Sequence, residues 1–214
     1  YSNRLSLQAE KQKKFSKIPI NGVHIPKVLS SRKINGMFEF DMEYVPYMDT
    51  ITFLNVASKA DINILWKNIE FFIETCIRLS KPVILKPDIY YNKFLNVSDK
   101  ILIKETAVSN FLNDCQKIFS SINECSIYEG FCHGDLTFSN IMVSKKCDIY
   151  LIDFLDTFFE SPIQDIVKLR QDTKYGWTQN LYNRSYDKKR MSILTNHFDN
   201  IIHDKFSKFE FYNN

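Results

Sequence analysis

The stretch FCHGDLTFSNIMV, residues 131–143, packs His133, Asp135 and Asn140 into eight positions, and Asp153 follows thirteen residues after Asn140 at the end of the apolar run IYLID. An acid, an amide and a second acid in this order suit phosphoryl transfer. One carboxylate orients the attacking hydroxyl and takes its proton. An amide oxygen and the second carboxylate hold Mg²⁺, which neutralises charge developing between the phosphates. An isolated HxDxxxxN could equally be a turn with a helix cap. The apolar strand ending in Asp at a fitting distance separates the two readings.

Those side chains need a frame. Short strands are expected around Asn140–Val143 and Asp148–Ile152, joined by a turn at Lys145-Lys146. Asn140 starts one strand and Asp153 follows the other, so their oxygens meet at the open end of a hairpin. Upstream, Ser6–Ile18 has helical composition with Leu7, Ala9 and Phe15 as inward contacts, closed by Pro19 and Asn21-Gly22. VHIPKVLSSRKINGMFEFDMEYVP predicts two strands about an Asn35-Gly36 turn. In the second strand Phe38, Phe40, Met42 and Tyr44 alternate with Glu39, Asp41 and Glu43, giving one apolar and one acidic face. After Pro46 the pattern turns helical. Asp61–Leu79 carries the stripe Ile64, Leu65, Ile69, Phe72 and Ile73, and Pro82 and Pro87 then break the pattern. Lys104–Ile122 carries Ala107, Phe111, Leu112, Cys115 and Ile118 inward, and the chain is mostly helical from Ile163.

Composition bounds the function classes. The chain has 214 residues, 44% of them hydrophobic and 14% aromatic, enough for a proper core. A net charge of +3 falls well short of a nucleic-acid-binding footprint. The five cysteines (76, 115, 125, 132 and 147) form no CxxC pair, which argues against zinc or a disulfide framework and for a reducing cytoplasm. No secretory signal opens the sequence, and no apolar run is long enough for a bilayer, so no membrane partner is expected. The oligomeric state is not legible.

CHGDLTFSNIMV, IYLIDF and SPIQDIVKL together resemble the aminoglycoside phosphotransferase and choline kinase family, which shares the protein-kinase-like fold; the likeness runs from about Leu5 to Trp177. It implies an α+β, two-lobed fold: residues 1–46 as a partial nucleotide lobe with helix, two strands and hinge, and 47–214 as a helical lobe carrying the catalytic loop and metal site. It implies ATP and Mg as cofactors, Asp135 as base, and Asn140 and Asp153 as metal ligands. Asp165 resembles the family's supporting aspartate, and His133 stands where the family braces the loop. Backbone groups of Glu43 and Val45 would meet adenine, and Glu10 would pair with a nucleotide-binding lysine.

The pattern also departs from the family. Its fold opens with a hairpin over the phosphates and a lysine-bearing strand. The five glycines here are scattered, and the sequence begins with Tyr1 at what resembles the following helix. A piece of a longer protein, or an incomplete N-terminal lobe, is the expectation. Gly134 stands where protein kinases place Arg, Leu155 where they place Gly, and eight residues separate Asp153 from Pro162, too few for a peptide-docking segment. A small-molecule hydroxyl (sugar, amino alcohol or aminoglycoside) is therefore expected as acceptor. Asp156, Glu160 and Asp172 could attract a cation. Phe158, Phe159, Tyr175 and Trp177 could cage an ammonium, stack a sugar or belong to the core. The alternative to an enzyme is a kinase-like binding or regulatory module.

Overall fold

The computed structural model describes residues 2–102 and 105–213. In chain order the elements are α1 (Ser2–Phe15), β1 (Val23–His24), β2 (Val28–Ile34), β3 (Met37–Met42), β4 (Met48–Asp49), α2 (Thr50–Val56) and α3 (Lys59–Leu79). Then come β5 (Lys81–Leu85), α4 (Asp88–Ser98), α5 (Thr106–Ser120), β6 (Cys125–Glu129) and a 3-10 turn at Phe138–Asn140. β7 (Ile141–Val143), β8 (Ile149–Leu151), α6 (Pro162–Tyr175), α7 (Trp177–Leu181), α8 (Lys188–Phe206) and α9 (Glu210–Asn213) complete the chain.

α1 buries Ala9, Gln12 and Phe15 at helical spacing. Leu7 lies off that stripe and is exposed, against expectation. β2 and β3 form the expected hairpin; Asn35 and Gly36 both take positive φ (50° and 80°), as a two-residue turn between right-twisted strands demands. The inner face of β3 is Phe38, Phe40 and Met42, packed towards α1. The predicted alternation stops there: the strand ends at Met42 and Tyr44 is 87% exposed.

A four-stranded sheet in the order β1-β8-β7-β4 ties the two parts of the chain together. β1 runs parallel to β8, with Val23 opposite Ile149, while β7 pairs antiparallel with both β8 and β4. Beneath it lies α3, which opens on a capping box: Ser58 Oγ accepts from the Asp61 N–H, and the Asp61 carboxylate accepts from the Ser58 N–H. Leu65, Ile69, Phe72 and Ile73 are buried, and Trp66 stacks on Phe198 of α8 with ring centroids 4.6 Å apart. Ile64 is exposed, a correction to the expected stripe.

β5 and β6 form a two-stranded ladder enclosing α4 and α5, an excursion whose strands the sequence reading lacked. Pro82 is tolerated in β5 because a two-stranded ladder has only edges. Of the helix expected over Lys104–Ile122, Lys104 lies outside the described residues. Within α5 the inward stripe is Val108, Leu112, Cys115 and Phe119, the last stacked on Phe94. Ala107, Phe111 and Ile118 face outward instead. Neither α4 nor α5 has a fully buried residue, because the pair is covered on one side only. All five cysteines are free thiols, and no helix among the described residues is long and apolar enough to cross a membrane.

Candidate active site

The loop from Gly130 to Asn140 follows β6 and lies along α6. Ser161 caps α6, Pro162 opens it, and Gly176 closes it in the left-handed conformation. Asp165, Lys168 and Asp172 recur at three- and four-residue spacing on one face, and each meets the loop in turn. Asp165 accepts from the backbone N–H of His133 and of Gly134, both at 2.7 Å. Lys168 Nζ lies 3.0 Å from Asp135 Oδ1. Asp172 accepts from the N–H of Phe138 and of Thr178, both at 2.6 Å. Helix and loop are thus matched step for step.

His133 is fully buried and braces the loop in the neutral form. Its Nε2–H donates to the Ile152 carbonyl (2.8 Å), and its Nδ1 accepts from the Asp135 N–H (3.2 Å). Burial pushes its pKa down to about 4, against the opposing pull of the Ile152 carbonyl. Burial pushes Asp165 up to about 7, held from going higher by the two N–H donors.

Asp153 follows β8 with φ +58°, in the left-handed region that few non-glycine residues adopt. The next turn is locked to the loop, since the Leu155 N–H donates to the His133 carbonyl (3.0 Å). This explains Gly134: its φ is +91°, and a Cβ there would stand 2.2 Å from the Leu155 carbonyl oxygen.

Asp135, Asn140 and Asp153 share one cavity of ≈330 Å³, faced by Leu5, Gln8 and Gln12 of α1 and by Phe40 of β3. Asn140 Nδ2 donates to the Asp135 carbonyl (2.8 Å) and to Asp135 Oδ2 (3.0 Å), which turns its Oδ1 away from Asp135. Burial and then the neighbouring Asp135 push the Asp153 pKa up. A divalent cation would relieve that repulsion, and the donors on offer, an amide oxygen and a carboxylate, are the hard oxygens Mg²⁺ prefers. Among the described residues no cluster of three or more His, Cys, Asp or Glu could hold a metal. A cation here would therefore complete its shell with phosphate oxygens and water, as Mg²⁺ does.

Other expected site residues lie elsewhere. Glu10 is exposed and pairs with Lys13 (3.0 Å), two residues and about 200° round α1 from the stripe facing the cavity. Glu43 and Val45 line a separate groove of ≈1120 Å³ with Ile18, Ile20, Pro26 and Tyr150. The Glu43 N–H donates to the Lys27 carbonyl, and its carboxylate accepts from the Lys27 N–H.

Of the three acids expected to draw a cationic substrate, Glu160 is committed to Lys11 and Asp172 to backbone, while Asp156 only faces Arg4 at 3.4 Å and its Oδ1 makes no hydrogen bond among the described residues. Burial would raise the Glu160 pKa, but the Lys11 ammonium and the Thr157 N–H prevail and hold it below the ordinary range. The aromatics do not form one cage. Phe158 precedes α6 and packs edge-on to Tyr90, whereas Tyr175 and Trp177 lie at its far end, roughly 20 Å along the helix.

Two lysines were missed. Lys168 was legible only as part of an Asp-x-x-Lys-x-x-x-Asp helix face. Lys11, which reaches the Leu155 carbonyl (2.7 Å) and Glu160 (2.6 Å) across the fold, carried no local signal.

The sequence profile of the ecdysteroid kinase-like family matches residues 69–169, from α3 to α6. No curated protein sequence matches the chain. Among solved structures it is similar to a thermostable mutant of the aminoglycoside phosphotransferase APH(4)-Ia in its apo form, with TM-score 0.60 and 9% identity over 92% of this chain and 69% of that one. The ternary complex of such a mutant with ADP and hygromycin B gives TM-score 0.59, 9% identity and coverage of 92% and 68%. A glucosamine kinase gives TM-score 0.51 and 7% identity over 94% of this chain and 54% of that one. The chain has the α+β, two-lobed fold of the protein-kinase-like phosphotransferases.

Proposed function

We propose that this chain transfers the γ-phosphoryl group of ATP to a hydroxyl of a small molecule. The observation that carries the reading is the convergence of Asp135, Asn140 and Asp153 on one cavity, with the Asn140 amide oriented by Asp135 itself. The acceptor O–H gives its proton to Asp135 as its oxygen bonds to the γ-phosphorus; the bond to the bridging oxygen breaks, and its electron pair leaves with ADP. Mg²⁺ held by Asn140 and Asp153 would supply charge neutralisation across the phosphates. The lobes meet near Pro46, where backbone groups of Glu43 and Val45 are the proposed adenine contacts. Glu10, exposed beside Lys13, is proposed to pair with a nucleotide-binding lysine, as the family resemblance implies.

The acceptor is proposed to lie in a cavity of ≈570 Å³ between the α4–α5 excursion and α6, lined by Leu85, Tyr90, Phe94, Phe119, Ile127 and Phe158. Gln164 is on its wall, one helical turn before Lys168, whose ammonium pairs with Asp135. Its volume suits a drug-sized molecule, and its apolar lining suits a hydroxyl on a hydrophobic body better than a polycation. An ecdysteroid, the ligand class in the matched family's name, meets that description; hygromycin B does not. The test is MgATP-dependent mass gain of an ecdysteroid and of hygromycin B incubated with the chain. Phosphorylation of the steroid alone is expected, and preference for the aminoglycoside would overturn the acceptor assignment.

A second reading, a kinase-like binding module without transfer, is favoured by one observation: no lysine or arginine lines the Asp135 cavity among the described residues. Tight binding of MgATP with no transfer to any alcohol or to water would select it.

A further inference from the structure

We infer that Lys168 is a further catalytic residue, the cation that meets the phosphoryl group in transit; this rests on the phosphotransferase reading above. Three side chains of α6 face the loop, and they are not equivalent. Asp165 and Asp172 are fully buried and spent on backbone N–H groups, so they hold the loop's shape. Lys168, between them, touches a side chain instead, and both it and Asp135 are 30% exposed. Its Cα is fixed from both sides, while its four-carbon stem leaves the ammonium room to move.

Charge decides what that ammonium does. The cavity presents two carboxylates, Asp135 and Asp153, and no cation among its described lining residues. In the resting chain Lys168 balances Asp135. When Asp135 takes the acceptor's proton it becomes neutral, and Lys168 loses its counter-charge as the phosphoryl oxygens bring negative charge to the same place. An acceptor oxygen within hydrogen-bond reach of Asp135 lies within about 6 Å of Nζ, given the 3.0 Å pair, a gap the stem can close. Each carboxylate oxygen has two lone pairs, so Asp135 can serve Lys168, Asn140 and the acceptor together. Lys168 keeps its proton throughout, and the transfer stays balanced: O–H to Asp135, new O–P bond, old P–O bond to ADP.

The experiment compares wild type, Lys168→Met, Lys168→Arg and the distant control Lys117→Met, with water as acceptor and ADP release as the rate. Lys168→Met is expected to lower kcat about 10²-fold, the scale of removing one preorganised charge, with KM for MgATP and MgADP affinity within about two-fold. It should also lose the affinity that beryllium fluoride adds to MgADP in calorimetry, because the missing contact is to the γ-position. Lys168→Arg should recover at least about ten-fold of the rate by keeping the charge. A merely structural lysine would instead lower the melting temperature and nucleotide affinity together. Turnover of Lys168→Met within two-fold of wild type, or a rate loss matched by lost MgADP binding, overturns the inference alone. Absence of wild-type turnover both with water and with an ecdysteroid as acceptor overturns the phosphotransferase reading and the role of Lys168 with it.

Discussion

Two buried titratable groups brace the His133–Asn140 loop, and their effects on stability oppose each other with pH. His133 and Asp165 are both fully buried. His133 is held down to about 4 from an ordinary 6.5, so the folded chain keeps it neutral while the unfolded chain protonates below 6.5. Its contribution is present above 6.5 and is lost as pH falls towards 4. Asp165 is raised to about 7 from 3.8, so the folded chain keeps its proton where the unfolded chain has shed it. That contribution is full below 3.8 and lost as pH rises to 7. At 1.36 kcal/mol per pKa unit the first is worth about 3 kcal/mol and the second about 4 kcal/mol. Between pH 4 and 6.5 they nearly cancel, and single variants should unmask each slope. In Asp165→Asn only the histidine remains, so stability should fall by about 3 kcal/mol as pH drops from 6.5 to 4. In His133→Gln only the aspartate remains, so stability should fall by about 4 kcal/mol as pH climbs from 4 to 7. Urea unfolding at pH 4.0, 5.5 and 7.0 reads the slopes relative to wild type, whatever the constant loss in each variant. Variant profiles parallel to the wild-type one would refute the reasoning, because neither group would then change protonation on folding.

Asp135→Asn should cut kcat by at least about 10²-fold in phosphate-release assays, with MgADP affinity by calorimetry nearly unchanged. Asp153→Ala should abolish Mg²⁺-dependent ADP binding and Asn140→Ala should raise the Mg²⁺ requirement, each having deleted an oxygen donor. The raised Asp153 pKa gives the wild type a pH signature: Mg²⁺-dependent binding should weaken as pH falls towards it, because a proton competes for the carboxylate. Gly134→Ala should cost at least about 1 kcal/mol in thermal unfolding and distort the loop, since its Cβ meets the Leu155 carbonyl and its backbone is left-handed.

Local chemistry was legible where it lies in one stretch of chain. Asn35-Gly36 specified its turn, and the alternation of β3 held while the strand lasted. Asp135, Asn140 and Asp153 meet because a tight hairpin, β7–β8, fixes their separation. What failed depends on contacts across the fold. Glu10 is a separate case: the phase of α1, set by Ala9, Gln12 and Phe15, turns it to solvent beside Lys13, and its pairing with a nucleotide-binding lysine stays a proposal. Phe111 and Ile118 look inward by periodicity, yet α5 is covered on one side and buries the neighbouring stripe through Phe119. Asp172 and Glu160 look like free surface charge in the sequence. One is spent on two backbone N–H groups and the other on Lys11, more than a hundred residues away in the chain.

The two sides of α6 face different features, the His133–Asn140 loop on one and the apolar cavity on the other. Its loop-facing side cannot vary cheaply: Asp165 and Asp172 satisfy four backbone donors, and losing either would leave buried N–H groups unpaired at about 1–3 kcal/mol each. Ile163, Gln164 and Val167 instead line the apolar cavity, whose opposite wall is built by α4 and α5. Those helices bury no residue fully and pack chiefly against each other. Under the proposed function, substitutions there should change the shape offered to an acceptor without touching Asp135, Asn140 or Asp153. On the same reading, one rigid helix would hold the phosphoryl-transfer geometry constant while the excursion between β5 and β6 would set which alcohol reaches it.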